Sequence, residues 1–298
     1  MKKYLNSFCA VFVLAASLLV TGCKAPSGGG GGSKNVIVNT AVTGSEVFID
    51  GRSVEIYAKW ICDHEVTQKE FKDIMGSDAK YDSYSEYGYG EGNNYPVYYV
   101  SWYDAITYCN KRSISEHLTP CYEIAGMSED DWKNLTYTGI PTSNNAVWNL
   151  VECDFTANGY RLPTEAEWEY FARGGAALSE DKYSGTNDDA GLENYAWYGN
   201  NSNTSTHEVG KKFPNSLGLY DMSGNVWEWC WDWYDAITVD TPSTGPTSAS
   251  QRKIRGGGFF DSKDKCTTGY RNLGWDSGTF YQPGKKADLG FRVCRSAQ

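Results

Sequence analysis

Gly218-Leu219-Tyr220-Asp221-Met222-Ser223-Gly224-Asn225-Val226-Trp227-Glu228-Trp229-Cys230-Trp231-Asp232-Trp233 is the stretch that decides the fold. Ser223-Gly224-Asn225 is a tight-turn signal, because Gly and Asn tolerate the positive φ that turns often need. Beyond Val226, Trp227, Trp229, Trp231 and Trp233 alternate with other residues. That is the period-2 pattern of a strand with one buried aromatic face. Indoles bury large areas, so this strand is expected at the heart of a core. Asp221 and Glu228 flank the turn. Two carboxylates plus turn carbonyls can form an oxygen cage for Ca²⁺; the plainer alternative is that both bond local backbone.

Outward from this strand, the chain reads as short elements between turns. Val36-Ile37-Val38, Val47-Phe48-Ile49, the run from Ile56 to Trp60, the run from Pro96 to Ser101 and Tyr195-Ala196-Trp197-Tyr198 read as strands. Three helices are expected from their caps: Thr67 with Glu70, Ser101 running through Asp104 and Cys109, and Thr164 with Glu167. Gly174-Gly175 should end the third. Residues 77–94, rich in Tyr, Gly, Ser and acidic residues, have no apolar period and read as a loop. Residues 119–148, broken by Pro120, Gly126, Gly139 and Pro141, read as an insertion whose Trp132 and Trp148 still pack on the core.

The 298 residues carry a net charge of −10, which argues against a nucleic-acid partner. Lys2 and Lys3, then an apolar run from Phe8 to Val20, make a secretion signal over residues 1–22, too short for a comfortable membrane span. The signal ends in Leu19-Val20-Thr21-Gly22-Cys23, which resembles a bacterial lipobox and implies lipidation of Cys23, a stable membrane anchor. The tract Ser27-Gly28-Gly29-Gly30-Gly31-Gly32-Ser33 reads as a flexible tether within residues 23–34, ahead of one domain over 35–298. This layout places the protein in a bacterial cell envelope, lipid-anchored and at the outer surface. Beyond Cys9 and Cys23, Cys62, Cys109, Cys121, Cys153, Cys230, Cys266 and Cys294 remain, an odd number with no CxxC spacing. They read as buried small hydrophobes with some disulfides rather than zinc ligands.

The turn-and-Trp stretch resembles the signature of the formylglycine-generating enzyme, or sulfatase-modifying factor, family. So do Glu65-Val66-Thr67-Gln68, Pro96-Val97 through Ser101-Trp102, Gly159-Tyr160-Arg161-Leu162-Pro163-Thr164-Glu165-Ala166-Glu167-Trp168, Arg255-Gly256-Gly257 and Gly290-Phe291-Arg292-Val293. The resemblance implies an α+β, C-type-lectin-like fold with little regular secondary structure. Fold alone does not settle function. In the family's oxidases the resemblance implies a serine after the glycine pair and two cysteines that bind copper and oxidise a substrate cysteine. A thiolate pair suits Cu(I) because both are soft. Here the serine position is Gly258, the first cysteine position is Asp261, and only Cys266 is kept. No copper and no catalysis are expected. The resemblance also implies calcium in the turn, through the side chains of Asp221 and Glu228 and the carbonyls of Gly224 and Val226.

Residues 252–298 combine aromatic and small polar side chains in the manner of binding loops. The arrangement resembles the variable proteins of diversity-generating retroelements, whose C-type-lectin-like domain ends in a diversified binding stretch; the Treponema surface lipoproteins are the nearest kind. The sequence therefore points to a non-enzymatic, surface-displayed lipoprotein. Its candidate ligand-binding residues are Phe260, Asp261, Ser262, Asp264, Trp275, Asp276, Ser277, Thr279, Phe280 and Tyr281, and its expected ligand is a protein or cell-surface molecule. The alternatives are an exported copper oxidase of the formylglycine-generating type and a structural envelope lipoprotein.

Overall fold

A computed structural model describes residues 36–39, 41–57, 59–79, 88–175, 181–271 and 285–297. In chain order the elements are β1 (Val36–Val38), β2 (Val54–Ile56), β3 (Lys59–Ile61), α1 (Gln68–Met75), α2 (Trp102–Ser115), β4 (Tyr122–Glu123), α3 (Glu129–Asn134), α4 (Ala146–Asn149), β5 (Glu152–Cys153), β6 (Tyr160–Arg161), α5 (Glu165–Ala172), β7 (Trp227–Trp233), β8 (Arg252–Arg255), β9 (Leu289–Gly290) and β10 (Cys294–Ser296). Short strands, few helices and long ordered turns make this the mixed, low-regularity fold the sequence led us to expect.

The three expected helix starts are all present. Thr67, Ser101 and Thr164 each form a full capping box with Glu70, Asp104 and Glu167. The insertion is more ordered than its punctuation suggests, since Ser128 and Asp131 cap α3 in the same way. Trp132 and Trp148 join the main core.

Two three-stranded sheets organise the ends of the chain. In one, β7 lies between antiparallel β8 and parallel β9; in the other, β10 lies between β3 and β6. The C-terminal strands therefore close both sheets. Trp227 faces Leu289 and Glu228 faces Gly290 across β7 and β9. Cys294 faces Ile61 on β3 and Arg161 on β6.

The strand β7 is buried more deeply than a one-faced reading allows. Trp227, Glu228, Trp229, Cys230 and Asp232 are all buried, while Trp231 and Trp233 are partly covered. A register shift between Trp229 and Trp233 ends the simple alternation. Trp102, Trp168, Trp227 and Trp229 are the largest fully enclosed side chains. Each indole N–H finds an acceptor far away in sequence: Cys230 O for Trp102 and Val100 O for Trp229, both at 3.0 Å, then Glu228 Oε2 for Trp168 and Asp261 Oδ2 for Trp227, both at 2.7 Å. A buried indole stabilises by its area only when that N–H is satisfied. Beside them, the Arg252 guanidinium lies 3.8 Å from the Trp102 ring and 3.7 Å from the Trp233 ring, a desolvated cation–π arrangement.

Three expected strands take other forms. Val47 and Phe48 sit in a bend, where the Ser45 hydroxyl accepts both of their N–H groups at 3.2 and 2.9 Å, and such local bonds compete with a ladder. The run from Pro96 is interrupted at Tyr99, whose φ is 56°, leaving one bridge between Thr67 and Pro96. Tyr195 to Tyr198 leaves a 3₁₀ turn and makes a single bridge from Trp197 to Gly224.

Candidate functional site: the Ser223–Val226 turn and the face beside it

The turn before β7 is a hub of hydrogen bonds. Asp221, Gly224 and Asn225 have φ of 56°, 85° and 59°. Glycine is required at 224 because a Cβ there would lie 2.3 Å from the Trp197 carbonyl oxygen. The Gly224 N–H donates to Gly256 O at 2.9 Å, and Asn225 N–H to Trp197 O at 2.7 Å. In return, Asn225 O accepts from Phe259 N–H at 2.9 Å, and Trp227 N–H donates to Asp288 O at 2.7 Å. The Ser223 hydroxyl donates to Cys266 O at 2.7 Å. Turn and C-terminal face are thus one continuous network.

Three fully buried acids meet under this turn: Glu65, Asp221 and Glu228. Both oxygens of Glu228 are already hydrogen-bonded. Arg292 Nε and Nη2 clamp its two oxygens at 2.6 Å each, and Trp168 Nε1 adds a bond to Oε2. Glu65 accepts from Asn225 Nδ2 at 2.7 Å and from Val226 N–H at 3.0 Å. Asp221 Oδ2 accepts from Gly210 N–H at 2.7 Å, while its Oδ1 is buried with no hydrogen-bond partner. Burial raises the Asp221 carboxyl to about 6, against the pull of the Gly210 N–H and Arg292. Burial, then the charges of Asp221 and Glu228, raise Glu65 well above the ordinary carboxylate value. Arg292 is the guanidinium these three acids share, and the His64 imidazole also acts on Asp221. The orphaned Asp221 oxygen fits a divalent cation, with Asp221 as the open side-chain donor and Glu228 already shared with Arg292.

Nearby, Cys62, Asp63 and His64 bring three donor atoms within 4.8 Å of one another. Burial opposes charging His64, yet hydrogen bonds to Asp63 and Glu70 outweigh it and raise the imidazole to about 9.

The expected binding residues divide by direction. Phe260 is 45% exposed and stands against Tyr89, its ring centroid 5.3 Å away in an edge contact. Ser262 and Asp264 are exposed. Asp261 points the other way and is 3% exposed. Its Oδ2 accepts from Trp227 Nε1 at 2.7 Å and Gly258 N–H at 3.0 Å, and its Oδ1 pairs with Lys265 at 3.0 Å. It is a core pin rather than a contact residue, because it is buried and both its oxygens are engaged by two buried donors and one ammonium. Trp275, Asp276, Ser277, Thr279, Phe280 and Tyr281 lie outside the described residues, as does Cys23.

The ends of the face are fixed by buried charge. Arg271 is held by Glu165 at 2.9 and 2.8 Å and by Asp235 O at 3.0 Å. Lys285 lies 2.8 Å from Asp104 Oδ2 and 2.8 Å from Tyr137 Oη. Arg255, first residue of the Arg-Gly-Gly turn, pairs with Glu169 and bonds Thr268 O at 3.0 Å. Cys266 is fully buried, and burial pushes its thiol far above the usual range. It is 2.8 Å from where a Cβ on Gly257 would sit. A packed, protonated thiol is structural rather than reactive.

Sequence reasoning missed Glu65, Tyr89 and Arg292. Glu65 and Arg292 lie inside quoted motif blocks, but nothing in their spacing ties them to residue 228. Tyr89 sits in a stretch without periodicity.

The sulfatase-modifying factor enzyme 1-like domain family matches residues 35–297. The chain belongs to this family. It is 35% identical to the chaperone protein LppX of Paenibacillus barcinonensis, over 99% of this chain and 100% of that one. It is 36% identical to the formylglycine-generating enzyme of Thermomonospora curvata, over 40% of this chain and 45% of that one. Among solved structures it is similar to Treponema denticola variable protein 1, with a TM-score of 0.75 and 40% identity over 89% of this chain and 94% of that one. The family assignment thus agrees with the motif resemblance.

Proposed function

We propose that this sulfatase-modifying-factor-like domain is a non-catalytic binding module, carried on a lipid-anchored envelope protein. Its face is built around Phe260, Ser262 and Asp264, and continues into the segment that holds Trp275, Asp276, Ser277, Thr279, Phe280 and Tyr281. The observation that carries this reading is the state of the family's oxidase position. Asp261 is spent inside the core on Trp227, Gly258 and Lys265, and Cys266 is an enclosed thiol. A hard carboxylate beside one protonated thiol is a poor Cu(I) site. The similarity to a chain named a chaperone and to one named a variable protein supports a protein ligand. No helix among the described residues is long and apolar enough to cross a membrane, and the anchor in this reading is the lipid on Cys23.

Calcium belongs to the same reading. Asp221, the carbonyls of Gly224 and Val226, and Glu228, whose oxygens also accept from Arg292, would hold it. Bound there, it would supply positive charge and stiffen the turn on which the face hangs.

The test is a binding screen of the purified protein on arrays of surface proteins and glycans, alongside Phe260→Ser and an Asp264→Ala/Ser262→Ala pair. A ligand captured by the wild type should be lost or weakened at least tenfold in these variants. Cu(I) binding in a chelator competition, together with hydrazide-reactive aldehyde on a cysteine peptide, would establish the oxidase instead.

A further inference from the structure

Glu65 is the one acid of the turn cluster that sits outside the turn and outside β7. It comes from the link between β3 and α1, and reaches across 160 residues to Asn225. Its side chain is fully buried, and the donors on its two oxygens, Asn225 Nδ2 and Val226 N–H, are neutral. Each oxygen takes one of them, so a glutamine, with a single acceptor oxygen, could keep only one of the two bonds. Burying a carboxylate costs several kcal/mol, on the order of that for any unpaired buried ion, unless positive charge lies close. The Arg292 guanidinium spends Nε and Nη2 on Glu228, and its other bonds run to the carbonyls of Cys62 and Tyr220. The second observation is independent: Asp221, 2% exposed, keeps Oδ1 without a partner. These two buried acids have only neutral hydrogen-bond donors and share a guanidinium that is already clamped on Glu228, so a cation at the turn would add charge that both can use.

We propose that Glu65 is the positioning residue of this cation site. By gripping the Val226 N–H and the Asn225 side chain it holds the backbone whose Gly224 and Val226 carbonyls the calcium reading uses, and it adds negative charge behind them. The inference rests on that calcium reading and goes beyond it, because it makes the N-terminal Glu65-Val66-Thr67 segment a working part of the site. That segment is itself fixed on both sides: Val66 N–H donates to Phe291 O and Val66 O accepts from Val97 N–H, at 2.9 and 2.8 Å.

The experiment is a terbium titration of the purified protein, with emission sensitised by the nearby indoles and calcium used as competitor. The wild type should bind, and Asp221→Asn should abolish binding. Glu65→Gln should weaken it about tenfold, the scale on which removing a partner of a metal ligand acts. Terbium lifetimes in H₂O and D₂O separate positioning from mere loss of stability. Glu65→Gln should admit at least one further water to the ion, whereas a purely structural Glu65 would lower the melting temperature and leave the hydration number alone. If Glu65→Gln does not fold, Asn225→Gly, which suits the left-handed backbone there, removes one of the two grips and should weaken binding about tenfold on the same scale. No calcium-competable emission in the wild type overturns the calcium reading and this inference together. Wild-type binding that Glu65→Gln, or Asn225→Gly in its place, leaves unchanged in affinity and hydration overturns this inference alone.

Discussion

Truncating Asp261 should unfold the protein more readily than any change at its exposed neighbour. Asp261→Ala removes the acceptor from Trp227 Nε1 and Gly258 N–H, both in buried surroundings. Each orphaned buried donor costs about 1–3 kcal/mol. The Lys265 pair adds little, since that ammonium is 30% exposed and such a pair contributes roughly 0–1 kcal/mol. The sum is a loss of about 3–4 kcal/mol, allowing for partial relaxation of the site. Asp261→Asn keeps one acceptor oxygen and should lose about half as much. Phe260→Ser, at a half-exposed ring, should stay within about 0.5 kcal/mol of wild type. Equilibrium urea unfolding followed by Trp fluorescence measures all three. If Asp261→Ala falls within 0.5 kcal/mol of wild type, the inward role of Asp261 is wrong. It would then return to the list of surface contacts.

Arg292→Met leaves Glu228 enclosed without its cation and should destabilise by about 3–5 kcal/mol, as one-sided removal of a buried pair does; calorimetry at fixed calcium checks it. Thermal stability in chelator should fall as pH rises from about 4 to 8. Burial lifts Asp221 and Asp288 to about 6 and Asp232 to about 8. Folded values above the unfolded ones mean the contribution is complete below about pH 4 and is lost as pH rises through those values, by roughly 1.4 kcal/mol per group per pH unit. Asp232→Asn should flatten the alkaline part of that fall, and an unchanged profile would count against it. Glu165 and Glu167 act oppositely: burial is outweighed by Lys253, Arg255 and Arg271 for the first and by Arg161 and Lys59 for the second, holding both at about 2. Their stabilisation is present above about pH 4.5 and should be lost as pH falls toward 2, read by circular dichroism in an acid titration. Finally, burial holds the Cys121 thiol at about 12 and Cys294 at about 11. Neither should react with iodoacetamide at pH 8 until denaturant is added, which mass spectrometry resolves site by site.

Much of the fold was legible because its punctuation is local. A capping box needs only a hydroxyl and an acid three residues apart, and Thr67, Ser101 and Thr164 announce their helices without help from the rest of the chain. The alternation of Trp from 227 to 233 likewise forces a strand. The strands that were misread failed for equally local reasons, a Ser45 hydroxyl and the left-handed Tyr99, but nothing in composition weighs those against apolar content. Asp261 could be seen to replace a cysteine; its direction could not, since an acid beside two phenylalanines suits a rim as well as a pin. Only the folded chain brings Trp227 beneath it. The turn acids show the same division. Asp221 and Glu228 were visible as a spaced pair, and the chain itself fixes that spacing. Glu65 and Arg292 reach them from opposite ends of the sequence, on connecting segments that meet only in the tertiary structure. Sequence determines what neighbours along the chain do to one another; the charge balance of a buried site is a sum over residues that only packing brings within reach.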